Sequence, residues 1–296
     1  MAQTIIKQNT ISKLIDVLEW TADFFKKNSI KSARLDAEVL LAHVLGMKRL
    51  DLYLNFERHL TEEERIKYKN LVQRRKDRIP VAYLIGDKEF MGLSFKVNNN
   101  VLIPRPETEL LVEQVISRAK GNDPEKGIVI DVFTGSGNIA ISLAKNMENV
   151  AVYGIDIDDN ALKCAEQNAV NNIVADKVNF IKGDVLKPLC AYPLKNSVDI
   201  ITANPPYIKT GELAGLEPEV QNEPKSALDG GDDGLDFYKR LIKESKEYLK
   251  KDGLLAMEIG ADLKGEVVDL LEEYGYKDIN VIPDYAGLDR VIVCKR

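Results

Sequence analysis

The segment Asn204-Pro205-Pro206-Tyr207 could hold a reacting nitrogen, and it closely follows the apolar run "SVDIIT". Two consecutive prolines lack backbone donors and cannot continue a central strand, so the chain must turn at Asn204. The Asn204 side-chain oxygen and the Pro205 carbonyl can each accept one N–H of a planar nitrogen with two hydrogens, and Tyr207 can pack against a flat π-system. The nitrogen lone pair would then face a methyl donor for in-line displacement. An inert Asn-Pro turn is the alternative.

A glycine-rich loop in "IVIDVFTGSGNIAISLA" could bind a nucleotide-like group. Its strand ends at Asp131, and a helix is expected to begin near Gly137. Gly135 and Gly137 allow a ligand to approach the backbone closely, and the helix N-terminus offers unpaired N–H groups. The spacing to Ala140 also fits a dinucleotide fingerprint, and a tight turn without a ligand remains an alternative.

Acidic residues follow the next two strands. Asp156 ends a strand 19 residues after Gly137, where a carboxylate can accept both ribose hydroxyls. Asp158 and Asp159 are better explained as caps of the following helix. Asp184 could accept the exocyclic amine of an adenine, with a turn aspartate as the alternative. Together these loops predict a site for a nucleoside-bearing cofactor.

The elements that position these residues alternate between strands and helices from Pro106 onward. This alternation predicts a doubly wound, mostly parallel sheet with helices on both faces. The loop "PDYAGLD" is too short for a crossover helix, so the last two strands must pair antiparallel. The predicted strands are 128–132, 151–156, 178–181, 198–203, 254–259, 279–282 and 290–294.

The first 80 residues read as a small helical bundle. One helix is expected after a Thr10 cap, with apolar residues at helical spacing, and a second ends at Gly46. A third begins with a Thr61–Glu64 capping box and is closed by Pro80.

The alternating residues of "KEFMGLSFKV" predict a β-hairpin that links the helical and the α/β parts. We therefore expect three segments: a helical substrate-recognition domain over 1–86, a hairpin linker over 87–105 and a catalytic domain over 106–296.

Composition and charge narrow the class of protein. The chain has 296 residues, 45% of them hydrophobic and 30% charged, and it has no run of apolar residues long enough to cross a membrane. It also lacks a signal-peptide pattern, so we expect a cytoplasmic protein. Three separate cysteines and two histidines make a metal site improbable. Residues 1–86 carry a net charge of +5 and the remainder carries −11. The positive charge of residues 1–86 could face an acidic partner such as protein or RNA, or these charged side chains could simply be solvated.

The motifs "DVFTGSG", "GIDID", "GDV" and "NPPY", in this order, resemble those of class I methyltransferases that use S-adenosylmethionine. Further segments resemble the bacterial peptide chain release factor N5-glutamine methyltransferases, the PrmC/HemK family, and the likeness spans nearly the whole chain. These segments are "RLDAEVLLAHVLG", "IPRPETELLVE", "NEPKSALDGGDDGLDFYKRLI", "MEIG" and "LDRVIV". The resemblance implies methylation of the glutamine amide in the Gly-Gly-Gln motif of class 1 release factors.

The resemblance also implies roles for individual residues. Asn204 and the Pro205 carbonyl would hold the glutamine amide, with Pro206 and Tyr207 beside it. The segment "PRPETE" would close the pocket. Arg105 and Glu107 are candidates for this closing role, and a structural salt bridge is the alternative explanation for them. Asn204 also belongs to the expected cofactor-binding set. That set comprises Asp131, Thr134, Gly135 and Gly137 around the methionine part, Asp156 at the ribose and Asp184 at the adenine.

Phe133 departs from the family pattern, which usually has glycine at this position. A side chain here could crowd the cofactor or require a different backbone angle, so we expect weakened rather than absent cofactor binding.

Three other functions fit parts of the sequence. A nucleic-acid methyltransferase acting on adenine N6 or guanine N2 would use the same corner, but the charge of −11 opposes phosphate binding. A nicotinamide-dependent oxidoreductase leaves "NPPY" unexplained. A catalytically silent adaptor would not need Asn204 and Tyr207.

Overall fold

The structure is a computed structural model that describes residues 13–119 and 127–296. The chain forms two compact units, Met1–Gly86 and Asp87–Arg296. The predicted linker hairpin lies within the second unit.

The first unit is a helical bundle around a buried apolar core. Its core includes Leu14, Phe25, Leu40 and Leu41, which are fully buried. The helices are α1 (Leu14–Lys27), α2 (Ala33–Leu45), α3 (Arg49–Leu54), α4 (Glu62–Lys76) and α5 (Val81–Ile85).

The predicted ends of two of these helices are confirmed. Gly46 follows α2 with a φ of 62°, and the Thr61–Glu64 capping box precedes α4. Helix α4 ends at Lys76, before Pro80, which was predicted to close it. The short helices α3 and α5 were not predicted, and Pro80 directly precedes α5. Helix α1 begins at Leu14, and the predicted Thr10 cap lies outside the described residues.

The second unit starts with the predicted hairpin, formed by β1 (Asp87–Phe90) and β2 (Leu93–Lys96). The buried Phe90 and Phe95 rings pack edge to face in a core shared with the sheet. The Lys96 N–H also donates to Asn168 Oδ1 at 2.7 Å. The hairpin is therefore anchored to the α/β layers and is not a free linker.

A seven-stranded sheet forms the centre of the second unit, in the order β5-β4-β3-β6-β7-β9-β8. Strand β9 pairs antiparallel with both β7 and β8, while the pairs among β3 to β7 are parallel. All seven predicted strands are confirmed. Their bounds are β3 (Gly127–Val132), β4 (Val150–Asp156), β5 (Val178–Lys182), β6 (Val198–Ala203), β7 (Leu249–Glu258), β8 (Lys277–Pro283) and β9 (Asp289–Lys295).

Helices cover both faces of the sheet. One buried core contains residues of α6, α7 and α8, and the other contains residues of α9 and α10. Burial on both faces explains the nearly continuous apolar runs of the central strands. The helices are α6 (Pro106–Ala119), α7 (Asn138–Asn146), α8 (Asp159–Asn171), α9 (Asp236–Tyr248) and α10 (Lys264–Glu273).

The described ranges contain neither a membrane-spanning helix nor a metal-binding cluster. No helix in residues 13–119 or 127–296 is long and apolar enough to cross a membrane. The same residues contain no group of three or more His, Cys, Asp or Glu side chains arranged to hold a metal ion.

Candidate active site

A cleft of about 410 Å³ lies at the carboxyl ends of β3, β4 and β6, where ligands collect in open α/β sheets. Several sequence-predicted residues line it, and so does Phe133. These predicted residues are Gly135, Asp156, Asp184, Asn204 and Pro206.

A larger cleft of about 790 Å³ lies at the opposite ends of the strands, between Gly127, Asp199 and Lys250. It contains none of the predicted site residues. We therefore assign the active site to the smaller cleft.

The glycine loop has one residue open to the cleft and one that serves packing. Gly135 has a φ of 53°, and a Cβ there would meet nothing closer than 4.0 Å, so a ligand can approach its backbone. Gly137 precedes α7 as predicted, with a φ of 79°, but a Cβ there would come within 3.1 Å of the Ala165 Cβ. Gly137 therefore allows α8 to pack closely against the loop.

Asp131 and Thr134 lie beneath the loop and do not line the cleft. The Asp131 carboxylate is fully buried and accepts hydrogen bonds from the Thr134 and Thr202 hydroxyls, at 2.6 Å and 2.9 Å. Burial raises the pKa of Asp131 to about 7. The structure thus gives Asp131 contacts that shape the loop.

Phe133 keeps the backbone angle that normally favours glycine, with a φ of 62°. Its ring lines the cleft and packs edge to face on Phe237, with ring centres 5.1 Å apart. The glycine-to-phenylalanine departure therefore puts an aromatic side chain directly into the candidate cofactor site.

Asp156 ends β4 and joins it to the glycine loop. Its Oδ2 accepts the Gly135 N–H at 2.8 Å, and its Oδ1 accepts the Asp158 N–H at 3.0 Å. Burial raises the pKa of Asp156, while these backbone donors oppose the shift. Each carboxylate oxygen keeps a second acceptor position for a hydroxyl of a ligand.

The other two predicted carboxylates already have partners. Asp158 caps α8 by accepting the Asn160 N–H at 2.7 Å, as predicted. Asp184 is half-exposed on the cleft and pairs with Lys187 at 2.6 Å and Arg240 at 2.7 Å. The hydrogen bond from Lys187 is the main reason that the pKa of Asp184 is lowered.

The Asn204–Tyr207 corner follows β6 directly, at the edge of the cleft. Among the described groups, none donates a hydrogen bond to the Pro205 carbonyl oxygen or to Asn204 Oδ1. Pro205 and Pro206 lack N–H groups that could compete for these acceptors. Neither oxygen therefore has a donor among the described groups. Asn204 lines the cleft, whereas Pro205 is buried and does not line it.

The segment after the 3₁₀ turn at Lys225–Ala227 fixes the corner from one side. The Ile208 N–H donates to Leu228 at 2.9 Å, and the Gly230 N–H donates back to Ile208 at 2.8 Å. A Cβ on Gly230 would lie 2.7 Å from the Tyr207 Cα, closer than real side chains allow. The corner thus packs directly on glycine backbone.

A buried carboxylate, Glu258 at the end of β7, fixes the other side. Tyr207 donates its hydroxyl to Glu258 Oε1 at 3.4 Å, and Thr108 donates to Oε2 at 2.6 Å. Asn204 Nδ2 in turn donates to Thr108 Oγ1 at 3.3 Å. Burial raises the pKa of Glu258. The Tyr207 ring therefore points to Glu258 and does not line the cleft.

The "PRPETE" segment is held by Glu223. Arg105 pairs with Glu223, and the Ile103 N–H donates to the same carboxylate at 3.0 Å. Neither Arg105 nor Glu107 lines the cleft, whereas 100–102 do. The closing role expected of "PRPETE" stays a prediction, while the salt-bridge alternative is observed for Arg105.

Comparison with known proteins gives the family. Residues 16–86 match the family model described as the PrmC N-terminal domain, and residues 124–283 match a methyltransferase domain. The chain is 39% identical to the release factor glutamine methyltransferase of Rhodopirellula baltica over 99% of this chain and 98% of the relative. It is 41% identical to that of Clostridium botulinum over 92% and 95%.

The chain belongs to the release factor glutamine methyltransferase family. The class I methyltransferase fold predicted from the sequence is confirmed. Among solved structures, the hMettl16 catalytic domain in complex with the MAT2A 3'UTR hairpin 6 shares this fold, with a TM-score of 0.53 over 79% of this chain and 82% of that one. At 17% identity the likeness concerns the fold alone.

The sequence reasoning missed the residues that support the corner in this family member. Glu258 and Thr108 were noticed only as parts of "MEIG" and "PRPETE", and Gly230 only as part of "SALDGG". One signal was available for Glu258, because an acid that ends an apolar strand falls at the same edge of the sheet as the other site residues.

Proposed function

We propose that this chain transfers a methyl group from S-adenosylmethionine to the side-chain amide nitrogen, N5, of the glutamine in the Gly-Gly-Gln motif of class 1 peptide chain release factors. The single observation that carries the proposal is a pair of acceptors without a described donor: Asn204 Oδ1, in the lining of the Asp156 cleft, and the carbonyl of the adjoining Pro205. The relatives named release factor glutamine methyltransferases support this choice of substrate.

The cleft has the chemistry that the cofactor needs. Asp156 offers two carboxylate oxygens, both oriented by backbone N–H groups, to a ribose diol. Gly135 leaves open space where a Cβ would otherwise stand. Asp184 would accept from an adenine amine, sharing its oxygens with Lys187 and Arg240. Asp131 and Thr134 would act indirectly by holding the loop.

When bound, the cofactor supplies an electrophilic methyl group on a sulfonium. Asn204 Oδ1 and the Pro205 carbonyl would each accept one N–H of the glutamine amide, which fixes the nitrogen and leaves its lone pair directed into the cleft. As positive charge develops on that nitrogen, both oxygen dipoles stabilise it. The amide N–H becomes acidic on alkylation, so its proton can pass to water without a dedicated base.

Pro206 and Tyr207 would support the acceptor rather than react with it. Pro206 lines the cleft, and the buried Tyr207 hydroxyl bond to Glu258 keeps the corner in place. The helical domain of residues 1–86, with its charge of +5, would recognise the release factor, while 106–296 would carry catalysis. Because the proposed substrate acts in translation, we expect the enzyme to work in the cytoplasm.

Mass spectrometry tests the proposal. The protein is incubated with S-adenosylmethionine and a class 1 release factor, and tryptic peptides are examined for one added methyl group on the Gly-Gly-Gln glutamine. A release factor with glutamate in place of that glutamine is the matched control and should gain nothing. Parallel incubations with RNA and DNA and labelled cofactor test the exocyclic-amine alternative. Label on nucleic acid, or no methyl group on any release factor, would refute the proposal.

A further inference from the structure

Two successive hydrogen bonds connect the Asn204 side chain to the buried Glu258 carboxylate. Asn204 Nδ2 lies 3.3 Å from Thr108 Oγ1, which lies 2.6 Å from Glu258 Oε2. Thr108 and Glu258 are almost completely inaccessible, with 1% and 2% of their surface exposed. Water therefore cannot replace either partner. The direction in which each hydrogen bond is donated along this series is set by the protein itself.

The Thr108 hydroxyl has only one proton, and this decides which way the Asn204 amide faces. An ionised Glu258 has only acceptor atoms, so in that state the hydroxyl 2.6 Å away must donate to it. Its oxygen then offers lone pairs alone to Asn204, so the Asn204 group beside it must be the NH₂. Asn204 Oδ1 is left facing away from Thr108, and no described residue donates to it.

We propose that Glu258, acting through Thr108, orients the Asn204 carboxamide so that its oxygen rather than its NH₂ faces the methyl acceptor. Thr108 and Glu258 are thus positioning residues of the reaction. The inference rests on the proposed function for the identity of the acceptor, but the orientation itself is a property of this chain.

Reversing the direction of these hydrogen bonds would turn the Asn204 side chain around. A protonated Glu258 would donate to Thr108, and Thr108 would then donate to the Asn204 oxygen. The Asn204 NH₂ would turn toward the acceptor, where it meets N–H groups and no lone pair. Lowering the pH therefore converts a binding arrangement into a repulsive one.

The groups around Glu258 shift its pKa in opposite directions. Burial and the nearby Glu107 charge favour the protonated form, whereas Arg290 and the hydroxyl donors Thr108 and Tyr207 favour the carboxylate. From α9, Tyr238 donates to the Glu258 backbone carbonyl at 2.9 Å and leaves the carboxylate to the other groups.

A neutron structure of the full chain tests the orientation without any activity assay. At pH 8, deuterium is expected on the Asn204 nitrogen that faces Thr108, and the Thr108 deuterium is expected on the line to Glu258. Deuterium on the side of Asn204 that faces the cleft would overturn the inference even if release factors are methylated.

Variants test the consequence for turnover. Thr108→Val removes the hydroxyl at nearly constant volume, so kcat on the release factor is expected to fall at least 10-fold while the cofactor Kd changes less than twofold. Thr108→Ser restores the hydroxyl and should keep kcat within threefold of the original protein. A Thr108→Val kcat within twofold of the original, or equal losses for both variants, would overturn the inference.

The Glu258→Gln variant supplies the pH readout. Its carboxamide cannot be protonated in this pH range, and its oxygen accepts from Thr108 when its NH₂ faces the Tyr207 hydroxyl oxygen. The acid-side loss of kcat expected for the original protein should therefore disappear. Asp131 and Asp156 are retained in this variant, so an unchanged acid limb would assign it to them and contradict the role of Glu258. If the original protein methylates no release factor, the proposed function fails and the neutron result alone decides the orientation.

Discussion

The Gly135 N–H donates to Asp156 Oδ2 at 2.8 Å, so one carboxylate joins the loop after β3 to the end of β4. This bond links the shape of the glycine loop to the residue proposed to bind the ribose. The two parts of the proposed cofactor site therefore cannot be altered independently.

Replacing Asp156 with alanine should chiefly damage cofactor binding. The change removes the proposed diol acceptor and the partner of Gly135, and loss of such charged hydrogen bonds costs roughly 2–3 kcal/mol, or about 100-fold in Kd. Calorimetric titration with S-adenosylmethionine gives the value. Asp159→Ala, at an exposed position in the first turn of α8, is the matched control and should bind normally. Equal weakening in both variants would exclude a specific role.

Asn204→Ala should abolish turnover with little effect on the cofactor. The substitution removes one of the two proposed acceptors for the developing charge, and loss of such a group lowers kcat by roughly 100-fold or more. Single-turnover kinetics on a release factor and a separate cofactor titration measure the two effects. Asn171→Ala on the exposed side of α8 is the control. A weakened cofactor complex with unchanged kcat would contradict this division of roles.

Phe133→Gly should tighten cofactor binding. The change removes a ring from the cleft and relieves a left-handed backbone angle that costs other residues roughly 1–2 kcal/mol. Phe133→Ala separates the two causes, because alanine removes the ring but keeps the unfavourable angle. Calorimetry should therefore give both variants a lower Kd than the original protein, while thermal unfolding should show the glycine variant to be more stable than the alanine variant. A glycine variant that binds no tighter than the original protein would show that Phe133 does not hinder the cofactor.

The Asp131 carboxyl should make folding stability fall between about pH 4 and pH 7. Its pKa is raised to about 7 by burial, from 3.8, so the folded protein holds a proton that the unfolded chain releases in this range. The stabilisation is complete below the unfolded pKa and is lost as pH rises through the folded one. Urea unfolding of the original protein and of Asp131→Asn should show the variant gaining relative stability, on the order of 3 kcal/mol, from pH 4 to pH 8. A constant difference would show that Asp131 does not titrate.

Gly230→Ala should lower both kcat and stability. The new Cβ would lie 2.7 Å from the Tyr207 Cα, which is backbone and cannot swing away, so the corner must shift. Overpacking of this kind costs roughly 1–3 kcal/mol. Gly215→Ala is the matched control, because its Cβ would meet nothing within 4 Å. Thermal unfolding and kcat are compared, and a normal kcat in Gly230→Ala would show that the corner tolerates displacement.

The strands and the cleft could be predicted because their signals are local. Buried parallel strands are continuous apolar runs, and Asp156 and Asn204 stand directly at the ends of such runs. Helices α3 and α5, with 6 and 5 residues, are too short for a periodic signal. Their short turns depend on packing within the bundle.

The supports of the corner could not be predicted because they are distant in sequence. Thr108 and Glu258 are separated by 150 positions and meet only when α6 packs beside β7. The packing role of Gly137 was hidden for the same reason, since its close neighbour Ala165 lies on α8. From the sequence alone, a glycine that leaves room for a ligand, such as Gly135, cannot be distinguished from one that lets a helix pack closely, such as Gly137.

The position of β9 determines when the site can form during biosynthesis. Glu258 pairs with Val291, and the Ile259 N–H donates to Arg290 at 2.8 Å, so the end of β7 is completed by a strand made after it. A nascent chain has no finished corner until Asp289–Lys295 has left the exit tunnel. The corner is therefore completed by a strand that follows Glu258 in the chain only after α10 and β8.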